Sequence, residues 1–113
     1  MTIQEAITRA KALTGDNKPD ALLVRWLSEY DGKLALTLFH NDSPEPYDPV
    51  ADLTHDLLIP YPHDQVYVHY LEAMIYFANG EYDRVENARA MQNKALADYK
   101  AYVRRTGQEL RTC

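Results

Sequence analysis

Residues 57–83 read LLIPYPHDQVYVHYLEAMIYFANGEYD, and the fold is decided by how this stretch is arranged. Pro60 and Pro62 hold the chain extended ahead of Asp64, which is placed to cap a helix by accepting from its first free backbone N–H groups. Asn79-Gly80 supplies the stop. Between them Gln65, His69, Glu72 and Asn79, with Tyr76 in the same register, fall at spacings of four, three, four and three. That is one narrow wet strip. Val66, Tyr67, Val68, Tyr70, Leu71, Ala73, Met74, Ile75, Phe77 and Ala78 cover the remaining circumference, so the pattern predicts a helix over 65–79 buried on most sides. One flanking helix cannot bury it. The covering must come from several helices of the same chain or from another subunit.

Working outward, Thr2-Ile3-Gln4-Glu5 is a capping-box pattern that opens a first helix, with Ile3, Ala6, Ile7, Ala10 and Leu13 on one apolar face. Residues 15–18 form a turn, and Pro19 suits the first position of a second helix. There Leu22, Trp26, Tyr30 and Leu34 make an i+4 ladder flanked by Leu23 and Leu27, while Arg25, Ser28, Glu29 and Asp31 are expected to face out. Gly32 weakens this helix by about 1 kcal/mol relative to Ala without ending it. Residues 34–39 fit a short strand by alternation, but the ladder through Leu38 favours continued helix.

Five of the six prolines lie in residues 40–63, which excludes a long helix there. The segment nevertheless carries Tyr47, Val50, Leu53, Leu57, Leu58, Ile59 and Tyr61, so it needs a surface to rest on. A short helix over 49–56 and an extended stretch over 57–59 are compatible with it. After Gly80 a last helix is expected from Glu81 to about Arg105. Its seam comprises Tyr82, Val85, Ala88, Gln92, Ala95, Tyr99 and Tyr102, widened by Met91, Leu96 and Val103. At about 37 Å it outreaches the helix over 65–79, so one end is expected to project. The sum is an all-α, four-helix bundle-like single domain over 1–105, with a long Pro-rich loop between helices 2 and 3 and a flexible tail over 106–113.

The net charge of −5 conceals an asymmetry. No Lys or Arg lies between Lys33 and Arg84, where nine acidic residues fall, and from Arg84 onward seven basic residues face three acidic ones. These are either solvated faces or an acidic surface on one copy that meets a basic helix on the next. Basic patches interleaved with aromatics, as nucleic-acid wrapping requires, are missing. Cys113 alone gives neither a disulfide framework nor metal-ligand spacing, and the apolar run over 66–78 is too short to span a bilayer. A soluble intracellular protein is expected.

Chemistry is sparse. His55-Asp56 and His63-Asp64 are neighbours in sequence, and His63 and His69 are six apart, so no helical ligand pair exists. No phosphate loop, nucleophile elbow or Cys-His arrangement occurs. Tyr67, Tyr70, Tyr82, Tyr99 and Tyr102 fall on apolar seams and are expected in the core. The reading is of a non-enzymatic protein with no catalytic, cofactor-binding or metal site.

The stretches TIQEAITRA, VRWLSEYDGKL and LLIPYPHDQVYVHYLEAMIYFANGEYDRVENA resemble the small head-tail connector, or adaptor, proteins of tailed bacteriophages and prophages. The similarity spans residues 1–105 and is loosest over 42–56. It implies a homo-oligomeric ring beneath the portal protein, in the virion neck, assembled in the bacterial host cytoplasm. Such a ring extends the channel through which DNA passes without sequence-specific binding, and it docks the next neck or tail completion protein. Tyr47, Leu57, Leu58, Ile59 and Tyr61, with Arg104 and Arg105, are the expected subunit or partner contacts; changing Leu58 and Ile59 to Asp is expected to stop ring formation while sparing the monomer. Two alternatives stand beside this one: a small prophage-encoded regulatory or protein-binding module, and a ligand-binding or enzymatic domain using Glu72, His69 and tyrosines in a pocket.

Overall fold

Thr2 opens the first helix as its capping box requires: its Oγ1 accepts from the Glu5 N–H at 3.1 Å while its own N–H donates to Glu5 Oε1 at 2.9 Å. In the computed structural model, which describes residues 1–106, this helix is α1 (Ile3–Thr14). It is followed by α2 (Asp20–Thr37), α3 (Gln65–Ala78) and α4 (Tyr82–Thr106). The described residues are all-α apart from an isolated antiparallel bridge between Thr2 and Asp56. Of the expected tail over 106–113, residues 107–113, with Gly107 and Cys113, lie outside the described residues, and Thr106 is still helical, its Oγ1 donating to the Tyr102 carbonyl at 2.9 Å.

Ile3, Ala6, Ile7 and Ala10 of α1 are buried, and Gly15 closes the helix at φ 68°, where a side chain would be strained. Leu13, expected on the same face, is exposed. That end of α1 is tied to α3 by polar contacts instead, with Asn79 receiving Lys18 Nζ at 2.6 Å and donating to Asp16 Oδ2 at 2.7 Å. The first N–H groups of α1, which no helix can satisfy internally, go to the loop: Ile3 to the His55 carbonyl at 3.0 Å and Gln4 to that of Leu53 at 2.9 Å.

Pro19 is the N-cap of α2 rather than its first residue, and the helix runs through Gly32 to Thr37, so the ambiguous 34–39 stretch is helix through Thr37 and ends at the C-cap Leu38. Its buried face differs from the expected one. Leu23, Val24, Leu27, Asp31, Leu34 and Ala35 are buried, whereas Leu22, Trp26 and Tyr30 are only partly so. Asp31 therefore points inward. The partly buried ladder still serves α3: Tyr30 stacks on Tyr70 at 4.4 Å between centroids and meets Tyr67 edge-on at 5.9 Å, and Tyr70 Oη donates to the Trp26 carbonyl at 3.1 Å.

Val66, Tyr67, Val68, Leu71, Ala73, Ile75 and Tyr76 of α3 are buried. The cover comes from the same chain: α4 lies along α3 most extensively, then α1, with α2 and the buried side chains of Leu57 and Ile59 completing the core. The pattern departs from expectation at both ends. Asp64 makes no cap bond; its Oδ2 pairs with the α-ammonium of Met1 at 3.2 Å in a buried setting. Tyr76, expected in the wet strip, is buried beneath α4 with the Arg84 guanidinium over its ring, while Phe77 and Ala78 are exposed. The chain turns back at Gly80 and α4 covers only the Tyr76 side.

Val85, Ala88, Gln92, Tyr99 and Val103 form the buried seam of α4, and Tyr82 and Met91 fall outside it. Buried residues of this helix run from Val85 near its start to Val103 near its end, so both ends pack on the bundle where one was expected to project. Tyr99 and Val103 hold its C-terminal turns to the core beside α3's start. The expected helix over 49–56 is a series of turns, fixed by Asp48 accepting from the Val50 and Ala51 N–H groups and by Asp52 accepting from that of Asp48. These carboxylates satisfy the backbone locally, which competes with helix.

Candidate functional site

Asp31 sits at the centre of the most polar buried constellation. Only 2% exposed, its carboxylate takes the Tyr67 hydroxyl on Oδ1 at 2.6 Å, and the Tyr47 hydroxyl and the Leu58 N–H on Oδ2 at 2.6 and 3.2 Å. The Tyr67 oxygen in turn accepts the Ile59 N–H at 2.8 Å. Burial pushes the Asp31 carboxyl above the usual carboxylate range, against the pull of its three donors and of nearby His55. Burial and the Asp31 charge likewise push both tyrosine hydroxyls up, so they remain donors. With its lone pairs committed to three fixed donors, Asp31 clasps the loop at Tyr47 and Leu58 to α2 and α3.

This clasp forms the floor of an open cleft of about 490 Å³, whose walls include Ser28, Asn41, Glu45, Asp52 and His55. A second cleft, of about 450 Å³, lies at the far end of α4, between Pro60, Tyr61, Pro62 and His63 on one side and Tyr99, Tyr102 and Arg105 on the other. The His63 ring lies 5.3 Å from that of Tyr99 and 5.1 Å from that of Tyr102, and the Arg105 guanidinium is over Tyr102 at 5.9 Å. Aromatic faces and a permanent cation thus share one open surface.

The structure divides the seven residues expected to make subunit contacts. Tyr47 and Leu58 belong to the Asp31 clasp, and Leu57 and Ile59 are enclosed in the core. Ile59→Asp would bury a charge within the monomer, so that substitution reports on folding and not on assembly. Tyr61 is 83% exposed and comes together with Arg105 in the second cleft, while Arg104 is exposed beside it. His69 Nδ1 and Glu72 Oε1 lie 3.1 Å apart on the outer strip of α3, paired with each other and in neither cleft.

Sequence reasoning missed Asp31. Its signal was register: it stands four residues after Leu27 and three before Leu34, in line with apolar positions, just ahead of a segment that carries tyrosine. Among the described residues no group of three His, Cys, Asp or Glu side chains is arranged to hold a metal ion, and no helix is long and apolar enough to cross a membrane. Comparison with protein-family models, with curated proteins and with solved structures finds no match to this chain.

Proposed function

We propose that the chain is a non-enzymatic assembly subunit of a viral neck, a head-tail connector that forms a ring beneath the portal and docks the next neck or tail component. The observation that carries this reading is the surface left open once the core is closed. Tyr61 stands almost fully in solvent beside Arg105 and Arg104, at the end of a chain whose α3 is already covered by its own helices. An exposed aromatic next to fixed cations is the composition that interfaces enrich. Exposed acidic residues between Lys33 and Arg84, among them Asp42, Glu45, Asp48 and Asp56, provide the opposite charge on the same subunit, so copies complement one another head to tail, and a head-to-tail contact closes into a ring when its rotation permits. Acidic groups turned to a channel would repel phosphates and leave DNA free to slide.

The test is co-expression with the portal protein encoded by the same genome, followed by native mass measurement and imaging of the purified complex. A ring of several copies on the portal is expected. Portal complexes that never retain the chain, together with a chain that stays monomeric at every concentration, would overturn the assignment.

A further inference from the structure

We propose that the Pro-rich ridge at residues 44–46 of one copy seats in the cleft formed by Tyr61, His63, Tyr102 and Arg105 of a second copy. The inference deepens the ring reading and rests on it for its setting. The ridge, Pro44-Glu45-Pro46, rims the first cleft on a fixed base: Tyr47 donates its N–H to Ser28 Oγ at 3.0 Å and its hydroxyl to Asp31, and the Ser43 N–H donates to Asn41 Oδ1 at 3.1 Å. Glu45 and Pro46 are exposed. Two prolines restrict the ridge to extended conformations, so docking it costs little ordering.

The cleft is the complement. Its aromatic rings are the surface that extended proline segments settle against, and the Arg105 guanidinium can take the Glu45 carboxylate as a charge-assisted pair. No residue of 42–50 lines the cleft, so the ridge of the same chain leaves it open for another copy. Ridge and cleft occupy different elements, so each copy uses both surfaces on two different neighbours. That contact propagates head to tail.

Charge exchange tests this on the full chain. Glu45→Arg alone and Arg105→Glu alone each set like charges against one another and should assemble poorly. Mixed in equal amounts they should assemble again as an alternating structure, because each ridge then meets a cleft of opposite sign. A peptide of residues 41–50 should also shift the NMR signals of His63 and Tyr102 in the wild-type chain, and bind Arg105→Glu about tenfold more weakly. Wild-type assembly untouched by either single variant overturns the docking and leaves the ring reading standing. A monomeric wild-type chain whose His63 and Tyr102 signals ignore the peptide overturns the docking, and the ring reading falls with it only if portal complexes also never retain the chain. Peptide shifts with a monomeric chain support the docking.

Discussion

α3 and the segment over 40–63 that precedes it face the same problem, fixing a chain against its own entropy, and meet it with opposite chemistry. α3 satisfies its backbone internally and is held by apolar side chains that α1, α2, α4 and residues 57–59 enclose. The segment has no repeating backbone pattern, and its proline-rich half has few apolar groups to bury. Ahead of Leu57 and Ile59, which join the core, it is fixed by point attachments: the Asp31 carboxylate on Tyr47 and Leu58, Ser28 on the Tyr47 N–H, and loop carbonyls on the first amides of α1. Apolar burial spreads its stabilisation over many residues, whereas a polar clasp concentrates it in one. A substitution in α3 should therefore weaken the whole fold, and one at Asp31 should release a segment.

The largest effect is expected from Leu71→Ala. Leu71 is fully buried in the centre of α3, and truncation there should cost about 2–5 kcal/mol in urea unfolding, with one transition at a lower midpoint. Asp31→Ala should cost about 2–3 kcal/mol, because it leaves the buried Tyr67 hydroxyl, the half-buried Tyr47 hydroxyl and the Leu58 amide without their acceptor. Tyr47→Phe removes one bond of the clasp and should cost about 1 kcal/mol by the same measurement.

Smaller still is a pH effect of defined sign. The Asp31 pKa is raised in the folded chain, so the fold favours the protonated carboxyl, and that stabilisation is present at acidic pH and lost as pH rises through the raised value. Asp16 and Asp48 are shifted the other way by hydrogen bonds from Asn79 and from the Ala51 and Val50 amides, and their contributions grow as pH rises through the carboxylate range. They are common to wild type and Asp31→Asn, so the stability difference between the two isolates Asp31. Wild type should lose ground relative to the variant as pH rises above the ordinary carboxylate range and through the raised Asp31 value. The exposed Arg25–Glu29 pair offers the lower bound: Arg25→Ala should change stability by about 0.3–0.5 kcal/mol.

The contrast also explains what could be read from residues alone. The helical periodicity of α3 revealed its burial because each apolar residue reports its own face, and the capping box at Thr2 reported α1 for the same local reason. The orientation of α2 was not available in this way. Its partly buried ladder Leu22, Trp26 and Tyr30 and its buried line Leu23, Leu27 and Leu34 are both spaced for a helix, and Asp31 tips a hydropathy reading toward the wrong one. The partners that make Asp31 an inward residue are 16, 27 and 36 positions away, in segments whose approach no local pattern announces. The same holds for the second cleft. Tyr61 and Arg105 were each expected at a contact surface, but their meeting depends on α4 running back along the whole of α3.

Amide hydrogen exchange on wild type and Asp31→Ala tests most directly whether one buried carboxylate pins the loop to a core that stands without it. The expected result is that the Tyr47 and Leu58 amides lose their protection in the variant while Leu71 and Ile75 exchange only through global opening, as in wild type. Unchanged protection at Tyr47 and Leu58, or their loss in step with new local opening of α3, would contradict it.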